Sequence, residues 1–201
     1  MMQKRYVERT NTSKKAMVQI KYPEIGICGL SCRLCPAYNA GAKSWCDGCK
    51  CEKRITVGCP FITCAVKKKG IEFCWECTEN KTCEKWKKHR EAGKKIDSFK
   101  SYQKLEYDIT FIQKKGINEY EKIQKQRENL LKKMLKDFND GRSKSYYCIA
   151  ATVLEIDELE EAITCAKKES YGMDIKDRSK ILHSILDNIA DKKGYCLRLR
   201  K

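Results

Sequence analysis

The sequence predicts a mainly α-helical protein: a small cysteine-rich metal-binding domain followed by a helical domain. Three observations predict it. Eleven of the fourteen cysteines fall between Cys28 and Cys83. Within that window the large apolar residues are few, too few to build a core without help. Beyond it, apolar residues recur at spacings of three and four, the mark of amphipathic helices.

Taken in order, residues 1–25 read as a basic flexible tail, with Lys4, Arg5, Arg9, Lys14, Lys15 and Lys21 and no clean period. Residues 26–84 form the cysteine-rich domain, and residues 85–201 the helical one. Phe99, Tyr102, Leu105, Ile109 and Ile112 predict a helix over 96–113, and Gly116 separates it from the next. Tyr120, Ile123, Leu130, Leu131, Met134, Leu135 and Phe138 predict a helix over 118–139. Asn118 is its expected N-cap, Glu121 closes a capping box, and Asp140-Gly141 stops it. Ser145 to Val153 is apolar with small residues and reads as buried. Leu159, Ala162, Ile163 and Ala166 mark a further helix, and Ile181 to Ala190 another, ended at Gly194. Tyr195 to Arg200 alternates with period two and is compatible with a short C-terminal strand.

Residues 1–22 contain no apolar run of a secretory leader, and no stretch is apolar enough to span a bilayer. The chain therefore reads as cytoplasmic, without membrane contact, in a compartment that keeps thiols reduced. That argues for metal sites over a disulfide framework, as does the odd number of clustered cysteines. The formal net charge is +16. A divalent ion with four thiolates carries −2, so two such sites bring the formal charge from +16 to +12. The chain stays basic.

The cysteines come in four blocks: Cys28, Cys32 and Cys35; Cys46, Cys49 and Cys51; Cys59 and Cys64; Cys74, Cys77 and Cys83. A C-x2-C step lets two thiolates of one tight turn face the same ion, and two such turns complete a tetrahedral shell. Cys32/Cys35 with Cys46/Cys49 makes one such set, and Cys59/Cys64 with Cys74/Cys77 a second. Interleaved pairing, or thiolates bridging two ions, suits Cys28 and Cys83 equally well. A structural zinc contributes about 10–16 kcal/mol of apparent binding energy, which becomes folding energy. Redox-silent four-thiolate sites point to zinc, about two ions per chain. An iron–sulfur cluster is the alternative, since it uses the same ligands, and Cys35-Pro36 and Cys59-Pro60 resemble the Cys-Pro that ends ferredoxin runs. The C-x3-C-x2-C of Cys28, Cys32 and Cys35 matches the spacing of radical S-adenosylmethionine enzymes. Leu34 stands where those carry an aromatic residue, and the chain that follows lacks their barrel.

These residues resemble a known family. Cys28-Gly29-Leu30-Ser31-Cys32-Arg33-Leu34-Cys35-Pro36-Ala37-Tyr38, then Cys46-Asp47-Gly48-Cys49, Cys59 to Ala65, and Cys74-Trp75-Glu76-Cys77 with Cys83 are similar to the domain-of-unknown-function 3795 family. Asp140-Gly141-Arg142-Ser143 and Leu197-Arg198-Leu199-Arg200 are similar to its longer members. The resemblance implies metal binding through ten cysteines: Cys28, Cys32, Cys35, Cys46, Cys49, Cys59, Cys64, Cys74, Cys77 and Cys83. Cys51 falls outside that set, and the family's activity is unassigned.

His89 reads as part of a solvated basic helix, with ligation as the alternative, and His183 as lying on the polar side of its helix. Cys148, Cys165 and Cys196 stand alone on apolar stretches and read as buried free thiols. Residues 85–145 carry an excess of Lys and Arg, which admits nucleic-acid binding, but interspersed acids favour a solvated face. Catalytic zinc is disfavoured because such sites use His or carboxylate ligands. The expectation is a metal-stabilised binding or interaction module of unassigned role rather than an enzyme, with its partner left open and a protein as one candidate. The rivals are an iron–sulfur electron carrier or enzyme, and a nucleic-acid-binding zinc protein.

Overall fold

Among the described residues, eight α-helices carry the fold. The computed structural model describes residues 19–41, 45–57 and 59–201. The expected tail up to residue 18 lies outside the described residues. The helices are α1 (Glu52–Val57), α2 (Pro60–Ile62, running on into a widened π-type segment, Thr63–Lys69), α3 (Glu84–Lys95), α4 (Leu105–Lys115), α5 (Ile117–Phe138), α6 (Lys144–Val153), α7 (Ile156–Glu169) and α8 (Ile175–Lys192). Among the described residues, extended pairing is limited to one antiparallel bridge between Ile25 and Ser31. Among the described residues no helix is long and apolar enough to cross a membrane.

The main core lies among α5 to α8. Leu131, Met134 and Phe138 of α5, Tyr147 and Val153 of α6, Leu159 of α7, and Leu182 and Leu186 of α8 are fully buried in it. These follow the predicted stripes, because residues three and four apart share a helix face. The Asp140 carboxylate sets up α6, accepting the backbone N–H groups of Arg142 and Ser143 and the Ser143 hydroxyl. Asp174 caps α8 by accepting the N–H groups of Lys176 and Asp177. Arg127 of α5 donates to the Ala151 and Leu154 carbonyls, which α6 leaves open at its C-terminal end.

Smaller clusters tie the cysteine-rich segment to this bundle. Ile25 and Phe73 pack with Ile112 and Tyr120, and Leu30 packs with Trp86, Leu105 and Ile109. Leu34 enters the main core. Arg33 reaches across to Glu128 at 2.8 Å, with Glu24 and Glu121 also beside it.

Three expectations need correction. The helix expected over 96–113 begins only at Leu105, because Ile96 to Lys104 is held out of helix. The Asp97 carboxylate accepts the Tyr102 N–H at 2.7 Å, and Lys100 turns inward. Gly116, not Asn118, precedes α5, and its φ of 88° makes the break from α4. No strand forms over Tyr195 to Arg200. The Arg200 guanidinium instead binds Asp97 and the Gly93 and Lys94 carbonyls, so the alternating pattern reflects a clamp.

Candidate metal centre

Two tight turns organise the thiols. The Cys35 N–H donates to the Cys32 carbonyl at 2.9 Å, and the Cys77 N–H to the Cys74 carbonyl at 3.3 Å. These two C-x2-C steps are thereby closed turns. Gly29 and Gly48 shape the approach. Gly29 has φ +95°, and a Cβ there would lie 3.1 Å from the Trp75 ring. Gly48 has φ +107°, and a Cβ there would meet the Pro23 carbonyl oxygen at 3.2 Å. Both positions need a residue that tolerates left-handed backbone and has no side chain.

Around the first turn, the Cys49 N–H donates to the Cys32 sulfur at 3.2 Å. The hydrogen bond from Cys32 is the main cause that lowers the Cys49 thiol to about 5, and Lys100 adds to it. That same bond raises Cys32 well above its ordinary value, with burial adding to it. Burial raises Cys28. Lys100 lies in the middle of this group, 6 % exposed. Its ammonium approaches the Leu30 carbonyl at 3.5 Å and the Cys49 sulfur at 3.9 Å. Among the described residues no carboxylate pairs with it. Burial alone would depress its pKa, yet the negative charge of Cys32, Cys49, Cys28 and Cys35 raises it.

Around the second turn, Cys64, Cys74, Cys77 and Cys83 line one cavity of about 70 Å³, with Phe61, Ile71 and Trp86 as apolar walls. Burial, then its neighbours Cys28, Cys64, Cys83 and Cys77, push the Cys74 thiol up to about 12. Cys28 thus feels the thiols of both groups. A buried ion pair latches the two groups together. Lys50 donates to Glu72 at 2.7 Å with its side chain fully buried, and Glu72 also accepts the Lys21 and Tyr22 N–H groups.

The sequence leaves the pairing of Cys28 and Cys83 open, and Cys83 lies with the second group. Cys83, not Cys59, lines the second cavity, while Cys59 packs beside Ile62 and Ala65. Cys46 and Cys51 lie near Arg54, whose guanidinium is held charged chiefly by Cys46. Among the described residues no three His, Cys, Asp or Glu side chains converge in the geometry of a formed metal centre. His89 is not on a solvated face. Its ring sits 4.7 Å from Phe61 and 5.2 Å from Tyr102, and burial lowers its pKa. His183 likewise stacks on Tyr146 at 3.8 Å instead of facing solvent. Cys148 is buried as expected, but Cys165 is only half-buried and Cys196 exposed, its backbone held by Gln103. Sequence reasoning missed Lys100, the Lys50–Glu72 pair and the aromatic packing of His89.

The chain matches no family model, and searches of curated proteins and of solved structures return no match. The resemblance to the domain-of-unknown-function 3795 family thus rests on the sequence motifs alone.

Proposed function

We propose that this chain is a metal-binding module of the domain-of-unknown-function 3795 type, a cytoplasmic interaction protein holding about two zinc ions in structural four-thiolate sites. The observation that carries the reading is Lys100. A buried ammonium without a carboxylate is costly unless another anion balances it. The nearest candidates are the sulfurs of Cys28, Cys32, Cys35 and Cys49. A zinc–tetrathiolate site, net −2, supplies that charge and keeps the thiols deprotonated in a buried place. Cys64, Cys74, Cys77 and Cys83 form the second set, with Lys69 and Lys85 at its rim.

The scarcity of catalytic zinc ligands favours a structural role, and with it a binding function. A protein partner is the better reading of the basic surface. In the basic run from Lys85, Arg90 and Lys94 are already engaged by Glu106 and Glu91, which leaves fewer cations for phosphates.

A second reading, an iron–sulfur cluster held by Cys64, Cys74, Cys77 and Cys83, is favoured by the cavity itself. Zinc–sulfur bonds of about 2.3 Å close a tetrathiolate site around a single ion. The 70 Å³ of space here suits a larger group. Single substitutions test the ligand sets. Cys49→Ser and Cys74→Ser should each release one metal per chain, whereas Cys165→Ser should keep the full complement. Equal metal content in all three variants would contradict the assignment. An anaerobic brown colour lost in Cys74→Ser would favour the cluster.

A further inference from the structure

Away from the thiols, α4, α5 and the start of α7 enclose an open groove of about 420 Å³. Its floor is polar and buried: Asp108, Gln124 and Arg127 are 7 %, 4 % and 5 % exposed. The guanidinium of Arg127 is occupied by the Ala151 and Leu154 carbonyls and by Glu155. Gln124 is not occupied. Among the described residues its carboxamide has no hydrogen-bond partner, although the side chain lines the groove. Its polar atoms are not fully enclosed, so water meets them until a bound group takes its place. Asp108 Oδ2 shares one contact, with the Tyr120 hydroxyl at 2.9 Å, and its other oxygen has no protein donor among the described residues.

The walls and rim narrow the chemistry. Tyr107 and Phe111 stack at 6.3 Å and line one side. Ile123 and Ile156 line the groove with them. Asp157 and Glu160 stand at the exposed rim, and no ion pair engages either among the described residues. In a chain of formal charge +16, this groove gathers acids. The acceptors it leaves open, Asp108 and the Gln124 carbonyl, match a ligand rich in N–H donors. Its aromatic wall favours a flat cation.

We propose that this groove binds a small planar organic cation, an amidinium or guanidinium carried on an apolar or aromatic body. The cation's N–H groups meet Asp108 and the Gln124 carbonyl at the floor. The body lies along Tyr107 and Phe111, and Asp157 and Glu160 draw the charge in from solvent.

Calorimetric titration of the full-length, metal-loaded protein at pH 8 tests this with benzamidinium as the probe. Benzamide, its neutral counterpart, and benzoate, its anionic one, serve as controls. Benzamidinium should bind saturably and at least about tenfold more tightly than either control, the difference expected of a charge-assisted pair. Gln124→Met, which keeps the volume and apolar stem, should weaken it about tenfold. The double change Asp157→Asn with Glu160→Gln should weaken it less, and chiefly at low salt. Unchanged metal content and melting temperature show that the rim variant is folded. This keeps the test decisive if Gln124→Met misfolds. Binding no tighter than benzamide, preference for benzoate, or affinity unchanged in both variants would overturn the proposal.

Discussion

Lys100, buried in the segment between α3 and α4, stands 3.9 Å from the Cys49 sulfur, and Cys32, Cys28 and Cys35 act on it electrostatically. Lys100→Met keeps the stem and removes the charge. It should weaken metal binding at that set by about 10–100-fold, the usual cost of losing a group that supports metal ligands. Competition with a chromophoric chelator measures it, and an unchanged affinity would remove Lys100 from the account. Nothing in the sequence marked this lysine, which looks like the many solvated ones around it. Asp108 was equally silent. The Tyr120 hydroxyl lies 2.9 Å from Asp108 and 3.0 Å from the Gly29 carbonyl, yet it has one proton. Both contacts are met when Asp108 is protonated and donates to Tyr120, which donates to Gly29. Burial accordingly raises Asp108 from 3.8 to about 7. Between those values the folded chain holds a proton that the unfolded chain has released. The group therefore lowers stability as pH rises through that window, and the loss is complete above it. Asp108→Asn does not titrate, so its stability relative to the parent should rise by about 2–3 kcal/mol between about pH 5 and pH 8. Urea unfolding at the two pH values checks it. A difference independent of pH would show that Asp108 is not held protonated.

The long helices were legible because their apolar residues sit on one face. Leu130, Leu131, Met134 and Phe138 of α5, and Leu182, Leu186 and Ala190 of α8, are buried as their spacing implies. The start of α4 was not legible. Phe99 and Tyr102 fit the helical period, but Asp97 and Lys100 have other partners, and Phe99 is half exposed. In the same way, the period-two pattern at the C-terminus hides the Arg200–Asp97 clamp. The thiol segment was legible as a cluster of cysteines, but which of them share a cavity was not, because that depends on the fold that brings Cys83 beside Cys64, Cys74 and Cys77. If the segment depends on metal as proposed, elements that share core with it should share that dependence. Strong chelation should raise amide exchange first in residues 26–84 and in α4, which packs on Leu30 through Leu105 and Ile109. The interior of α5 to α8 should stay protected. Hydrogen exchange with and without chelator shows the order, and simultaneous loss of protection throughout would contradict it.

Across the whole molecule, the helical bundle has an ordinary apolar core, while the cysteine-rich segment spreads its few apolar residues over three small clusters. Trp45, one of the segment's largest apolar residues, is 56 % exposed. The segment's order therefore draws on its latches, chiefly Lys50–Glu72 and Arg33–Glu128, and, on the proposed reading, on ions held by its thiols. The most direct test is elemental analysis of full-length protein purified without oxygen, together with an assay for acid-labile sulfide. The account predicts about two zinc ions per chain and no sulfide. Less than about one metal of any kind per chain, in protein whose thiols are all reduced, would contradict it.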